Sequence, residues 1–228
     1  MNLRETPHAV ACTVEWEFAH STYAQVLADV PAALFFHWAQ SARIEFPGIP
    51  RDASFYAQAV EGLMVFFDCA AAASRPCALP SRAADSVWQA WACMDAPSLE
   101  RFCIRHVGKA IAYAEPASME QSVGEALGAC LVQARRRASC PVAGNHLPRL
   151  FALDAQLGMP RGFGYRIING RIACSTLDEL GVATSARFPE YLTAAGLYRS
   201  GLITAAEYNE ASCLGLPEPQ GLMQIAAS

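Results

Sequence analysis

Apolar residues recur at helical spacing along the first 140 positions of the chain and then give way to turn residues. Asp52 is a good N-cap, and Phe55, Ala59, Leu63, Phe66 and Phe67 follow it on one helical face. This pattern predicts a helix that ends before Arg75 and Pro76. An earlier helix is expected from Ser21 or Thr22 to about Ile44, with Pro31 early or at a break, stopped by Pro47, Gly48 and Pro50. Pro80 and Ser81 open a third, whose inner face carries Ala84, Val87, Trp88, Trp91 and Cys93 or Met94. Asp95 to Pro97 interrupts it, because a proline disfavours helical geometry in the residue before it. Pro97 can then sit in the first turn of a fourth helix, with Leu99, Phe102, Cys103, His106 and Val107 on one side. A fifth is expected from Ser118 to Arg137, with Arg135, Arg136 and Arg137 complementing the dipole in its last turn. Residues 1–20 read as a mixed lead-in with a short strand at Ala11–Phe18.

From Cys140 the pattern changes. Prolines and glycines make a loop-rich stretch around a short helix, Leu147 to Leu157. Tyr165–Ile168 and Arg171–Cys174 flank Asn169-Gly170, the strongest short hairpin signal. Ser185 to Ala195 and Thr204 to Leu214 read as two short helices, the second opened by a Thr204/Glu207 capping box. The fold expected is mainly α. A bundle of about five helices fills residues 1–140, and a loop-rich extension over 141–228, with the hairpin and two short helices, packs on it.

Composition narrows the class. Of the 228 residues 53% are hydrophobic and 17% charged, with a net charge of −4. That describes a folding chain and gives no electrostatic case for nucleic acid or an anionic membrane. The N-terminus carries acidic residues where a secretory signal would be apolar. The longest apolar run, Ala59 to Ala73, is too short for a span and contains Glu61 and Asp68. A soluble, cytoplasmic protein is the expectation. The nine cysteines are odd in number and include no C-x-x-C pair, so they read as reduced, buried, small hydrophobes. No metal and no cofactor are expected.

Candidate chemistry concentrates between Leu79 and Pro116. Cys103 and His106 share a helical face three residues apart, and a nearby imidazolium could activate a thiol. An i, i+3 pair, however, points both groups sideways, and a packed cysteine beside a hydrogen-bonded histidine is the plainer account. Asp95 can cap the fourth helix instead of doing chemistry. Trp88 and Trp91, together with Phe35 and Phe36, could line an aromatic pocket or simply fill the core. His37 reads as a satisfied core group. The Gly158–Gly164 stretch is neither a Walker loop nor a dinucleotide fingerprint.

The order Leu79-Pro80-Ser81, Ala84-Asp85, Val87-Trp88, then Asp95, Phe102-Cys103, Gly108 and Pro116 resembles the glycine-rich domain-containing protein-like family, as found in bacteria. The later string Leu147-Pro148-Arg149-Leu150-Phe151-Ala152-Leu153-Asp154 looks like a downstream segment of the same proteins. The family pattern has histidines after the tryptophan, two residues further on, and as a pair before the proline. This chain has Gln89, Trp91, Ala112 and Tyr113 there. The resemblance implies that any metal-binding or proton-transferring role of those histidines is largely lost, leaving Asp95, Cys103 and His106.

Three functions remain open on the sequence. The first is a non-enzymatic module that contacts another protein or itself, suggested by the helical scaffold and by the Tyr198–Tyr208 turn. The second is a metal- or thiol-dependent enzyme using Asp95, Cys103 and His106. The third is a small-molecule binder using an aromatic pocket at Trp88 and Trp91.

Overall fold

The computed structural model describes residues 7–113 and 123–213. These form a mainly helical fold with one two-stranded sheet. In chain order the elements are α1 (Pro7–Ala19), α2 (Ala24–Leu27), α3 (Ala32–Glu45), α4 (Ala53–Ala72), α5 (Arg82–Val107), α6 (Val123–Arg137) and α7 (Arg149–Leu157). The hairpin β1 (Phe163–Ile168) and β2 (Arg171–Thr176) follows, then a 3-10 turn at Glu190–Leu192, α8 (Ala194–Arg199) and α9 (Ala205–Cys213).

α4 is the axis, packing against α1, α5, α6 and α7. The Asp52 side chain caps it, accepting from the Phe55 amide at 2.9 Å. Its expected apolar face, Phe55 through Phe67, is buried. Trp38 of α3 is fully buried against Phe55 and Tyr56, with ring centroids 6.0 and 5.1 Å away, and its indole N–H donates to Ser86 Oγ at 2.9 Å. Each such buried aromatic contributes on the order of 2–3 kcal/mol. Among the described residues α4 alone has the length and mean hydropathy (1.2) of a membrane-crossing helix, yet 61% of that window is buried inside the fold. One core cluster runs from Val14 to Ile203 and includes Phe151, Tyr165 and Ile172 beside the residues of the helices before them.

The local signals held where capping or turn chemistry was explicit. Asn169 and Gly170 take φ of 50° and 72°, the left-handed pair of a type I′ turn, and β1 pairs antiparallel with β2 from Phe163↔Thr176 to Ile168↔Arg171. Thr204 and Glu207 make the reciprocal capping box: the Glu207 amide donates to Thr204 Oγ1 at 3.2 Å and the Thr204 amide to Glu207 Oε2 at 2.7 Å.

Four expectations need correction. Ala11–Phe18 is helical, part of α1; its alternating Cys12, Val14, Trp16 and Phe18 mimic a strand, but Trp16 is 59% exposed and Val14 and Phe18 share the inward face. The stretch 185–193 is extended apart from the 3-10 turn, because Arg187 exchanges backbone hydrogen bonds with Cys174 and Pro189 restricts Phe188. Helix resumes only at α8, capped by Thr193. The arginines at the end of α6 do more than face the dipole. Arg135 is buried and donates to the Val142 and His146 carbonyls at 2.8 and 2.9 Å, Arg136 pairs with Glu207, and Arg137 pairs with Asp68. Finally, the cysteines are not uniformly buried: Cys12 and Cys93 are exposed. The expected start of the fifth helix at Ser118 lies outside the described residues, as does Leu214.

Candidate functional site

α5 carries both groups of candidate residues, one in each half, and the two halves differ. Its N-terminus is fixed by a carboxylate from α7. Asp154 is fully buried and accepts from Ser81 Oγ (2.7 Å), the Arg82 amide (2.8 Å), the Ala83 amide (2.9 Å) and the Phe163 amide (2.8 Å). Burial raises the Asp154 carboxyl and these donors oppose that rise. All four neighbours donate, so the anion is the form the site fits. Ser81 Oγ in turn accepts from the Ala84 amide at 3.2 Å as the N-cap. One side chain thus joins α7, the start of α5 and the start of β1.

From this clamp α5 turns Asp85, Trp88 and Gln89 toward a cavity of about 930 Å³. Those positions are i, i+3 and i+4 and share a helical face. The segment after α4, the residues after α5, α6 and the hairpin complete the wall. Phe46, Phe66, Leu79, Ile111, Leu127 and Phe163 give it apolar surface. Trp88 packs on Phe66 at 5.2 Å and edge-on to Tyr113 at 5.1 Å. Its indole N–H is buried with no hydrogen-bond partner among the described residues.

Burial pushes the Asp85 carboxyl up to about 6, with Asp154 adding to the rise while Arg82 and a hydrogen bond from Tyr113 oppose it. Four cations, Arg75, Arg82, Lys109 and Arg187, line the same cavity against Glu45 and Asp85. None of the four forms an ion pair among the described residues. Arg82 lies over the Phe46 ring at 5.3 Å, and Arg75 donates to the Ser200 carbonyl.

The other half of α5 is arranged differently. A kink at Asp95 (φ −160°, ψ 80°) separates the two halves, and Asp95 Oδ1 accepts from the Ser98 amide at 2.9 Å. Cys103 is buried, and burial pushes its thiol up to about 11. His106 instead donates from Nε2 to Asp29 Oδ2 (2.9 Å) and packs on Phe102 at 4.6 Å. Hydrogen bonds from Arg105 and His106 hold Asp29 below the usual carboxylate value. Asp95, Cys103 and His106 are therefore not brought together, and no group of three metal-ligating side chains occurs among the described residues.

The aromatic candidates separate too. Trp91 is buried against Phe102 at 4.8 Å and lines neither of the two hollows described; its N–H, like that of Trp88, has no partner among the described residues. Phe35 and Phe36 line a different hollow of about 530 Å³ between α1, α2 and α3. His37, read as a satisfied core histidine, leaves its buried Nε2 without a hydrogen bond. Sequence reasoning passed over Asp85 as a mere anchor, and over Asp154 because a lone acid in an apolar run has no visible partner. The readable signal was Asp85-x-x-Trp88 on one helix turn, four residues after the Ser81 cap. Comparisons of the chain with protein-family models, curated proteins and solved structures find no match.

Proposed function

We propose that the protein binds a small amphipathic anion, an aromatic or aliphatic carboxylate, in the cavity beside Asp85 and Trp88. One observation carries the reading: a ligand-sized hollow combines apolar walls with four cations against two carboxylates, and none of the four is in an ion pair among the described residues. Its volume, about 930 Å³, falls in the range of small-molecule sites. The apolar wall would take the body of the ligand. Lys109 and Arg187 are exposed and stand at the open side, suited to the head group.

The family resemblance, taken as a proposal, points the same way. Two positions where the family pattern has histidine, Gln89 and Ala112, line this cavity, and a third, Tyr113, hydrogen-bonds Asp85. The site would be an inherited one with altered polar groups. A protein-contact role has less behind it, since the most exposed large apolar residues are divided among α1 (Trp16), α3 (Ile44) and the loop after β2 (Leu180 and Val182).

Thermal-shift measurements with 2-naphthoate and decanoate against their neutral amides test the proposal. The carboxylates are expected to raise the melting temperature and the amides to raise it much less. Equal effects from acid and amide, or none from either, would overturn it.

A further inference from the structure

The same cavity exposes a thiol backed by two others. Cys77 lines the wall and is half-buried, while Cys69 of α4 and Cys130 of α6 are buried behind it. Cys130 lies close enough to interact with the thiols of both Cys77 and Cys69, and the Cys77 Sγ reaches the Cys69 carbonyl at 4.0 Å. The chain around Cys77 is held there: the Ala78 amide donates to the Ala126 carbonyl at 3.1 Å, one helical turn before Cys130 on α6. None of the three is in a disulfide.

We propose that Cys77 is an oxidant-sensitive site. A small hydroperoxide entering the cavity converts it to a sulfenic acid, and Cys130 resolves that acid to an intramolecular disulfide. In the first step the Cys77 thiolate attacks the terminal peroxide oxygen. The O–O bond breaks, and the leaving oxygen takes a proton to depart as water or an alcohol. In the second, the Cys130 sulfur attacks the Cys77 sulfur, the S–O bond breaks, and the Cys130 proton leaves with the hydroxide as water. Two thiols are oxidised and one peroxide bond is reduced.

The division of roles follows from placement. Cys77 alone of the three faces the cavity, so it meets the oxidant; Cys130 is sealed and can meet only Cys77 or Cys69. Lys109, the chain's only lysine, lines the same cavity. The Cys130 hydrogen bond and the Lys109 charge hold the Cys77 thiol below its ordinary value, while neighbouring thiols and burial raise Cys130. The exposed Cys93 and the half-buried Cys140 have no thiol beside them among the described residues; the Cys140 Sγ bonds the Ala138 carbonyl and sits near Arg135.

The test is oxidation of the full chain with hydrogen peroxide, alkylation of the remaining thiols and peptide mapping. The expected first product is a monomer that has lost two thiols, cross-linked Cys77 to Cys130. In Cys130→Ala, dimedone should trap the sulfenic acid at Cys77, and Cys77→Ala should abolish both products. A first disulfide between Cys77 and Cys174 or Cys69, or oxidation of Cys93 before Cys77, would overturn the proposal. If Cys130→Ala does not fold, the wild-type map decides alone. The map involves no ligand, so a cavity that binds no anion leaves this result standing.

Discussion

The two halves of α5 offer the same kinds of side chain and treat them in opposite ways. Beyond the kink, Asp95 caps a backbone amide, Cys103 is sealed in apolar surroundings and His106 is committed to Asp29. Before it, Asp85 is held near a pKa of about 6 and faces a hollow lined by four cations that form no ion pair among the described residues, and the buried Trp88 N–H has no partner among them. Reactive residue types cluster in the first of these regions, but unsatisfied groups cluster in the second. Binding and chemistry need groups whose bonding capacity is still open, so the second is the better site. Trp91 limits the rule usefully: its N–H is also unpaired, but it has no cavity to act on.

Substitutions can break this contrast at several strengths. The largest effect is expected from Trp91→Ala, which should cost about 3–5 kcal/mol in urea unfolding as a cavity-forming change in the core. Asp154→Ala should cost about 2–4 kcal/mol, because it leaves buried donors at the α5 N-terminus unpaired. It should also weaken ligand binding by loosening the Asp85 half, whereas Trp91→Ala tests packing alone.

Asp85 gives a pH-dependent test. Its folded value of about 6 lies above that of an unfolded aspartate, about 3.9. The folded chain therefore holds the proton more tightly. The stability this gives is whole below about pH 4 and is lost as pH rises through 6. Relative to wild type, Asp85→Asn should gain about 2–3 kcal/mol between pH 4 and pH 7. Asp29 and Glu207, whose lowered values act in the opposite sense, are common to both chains and cancel in the difference. A difference that stays flat across this window would show that Asp85 is not held protonated by its surroundings. At the quiet end of α5, Asp95→Ala should cost only the loss of a cap, about 1 kcal/mol. The smallest effect is expected from His106→Gln, which should lower the melting temperature only slightly, losing a weak, partly exposed pair with Asp29 and ring packing on Phe102.

How far the sequence could show this depended on whether a signal was local. The Asp52 cap, the Asn169-Gly170 turn and the Thr204/Glu207 box each act within a few residues, and each was legible. The kink at Asp95 followed from Pro97. What escaped was set by partners far along the chain. The role of Asp154 depends on Ser81, more than seventy positions earlier, and the extended path after Ser185 depends on Cys174. The cavity could not be read at all, because its wall is assembled from α3, α4, α5, α6 and the hairpin region. The motif positions Leu79, Ser81, Asp85 and Trp88 were visible as a pattern, but their facing a hollow was not.

The central claim is that the open groups before the kink, and not the reactive types after it, make the site. Calorimetric titration of 2-naphthoate into wild type, Arg187→Gln and Cys103→Ser tests it most directly. Arg187→Gln removes one of the four cations that line the hollow and should weaken binding about tenfold, the worth of roughly one hydrogen bond to a charged group. Cys103→Ser should bind as wild type does. Binding that is unaffected by Arg187→Gln and lost in Cys103→Ser would contradict the account.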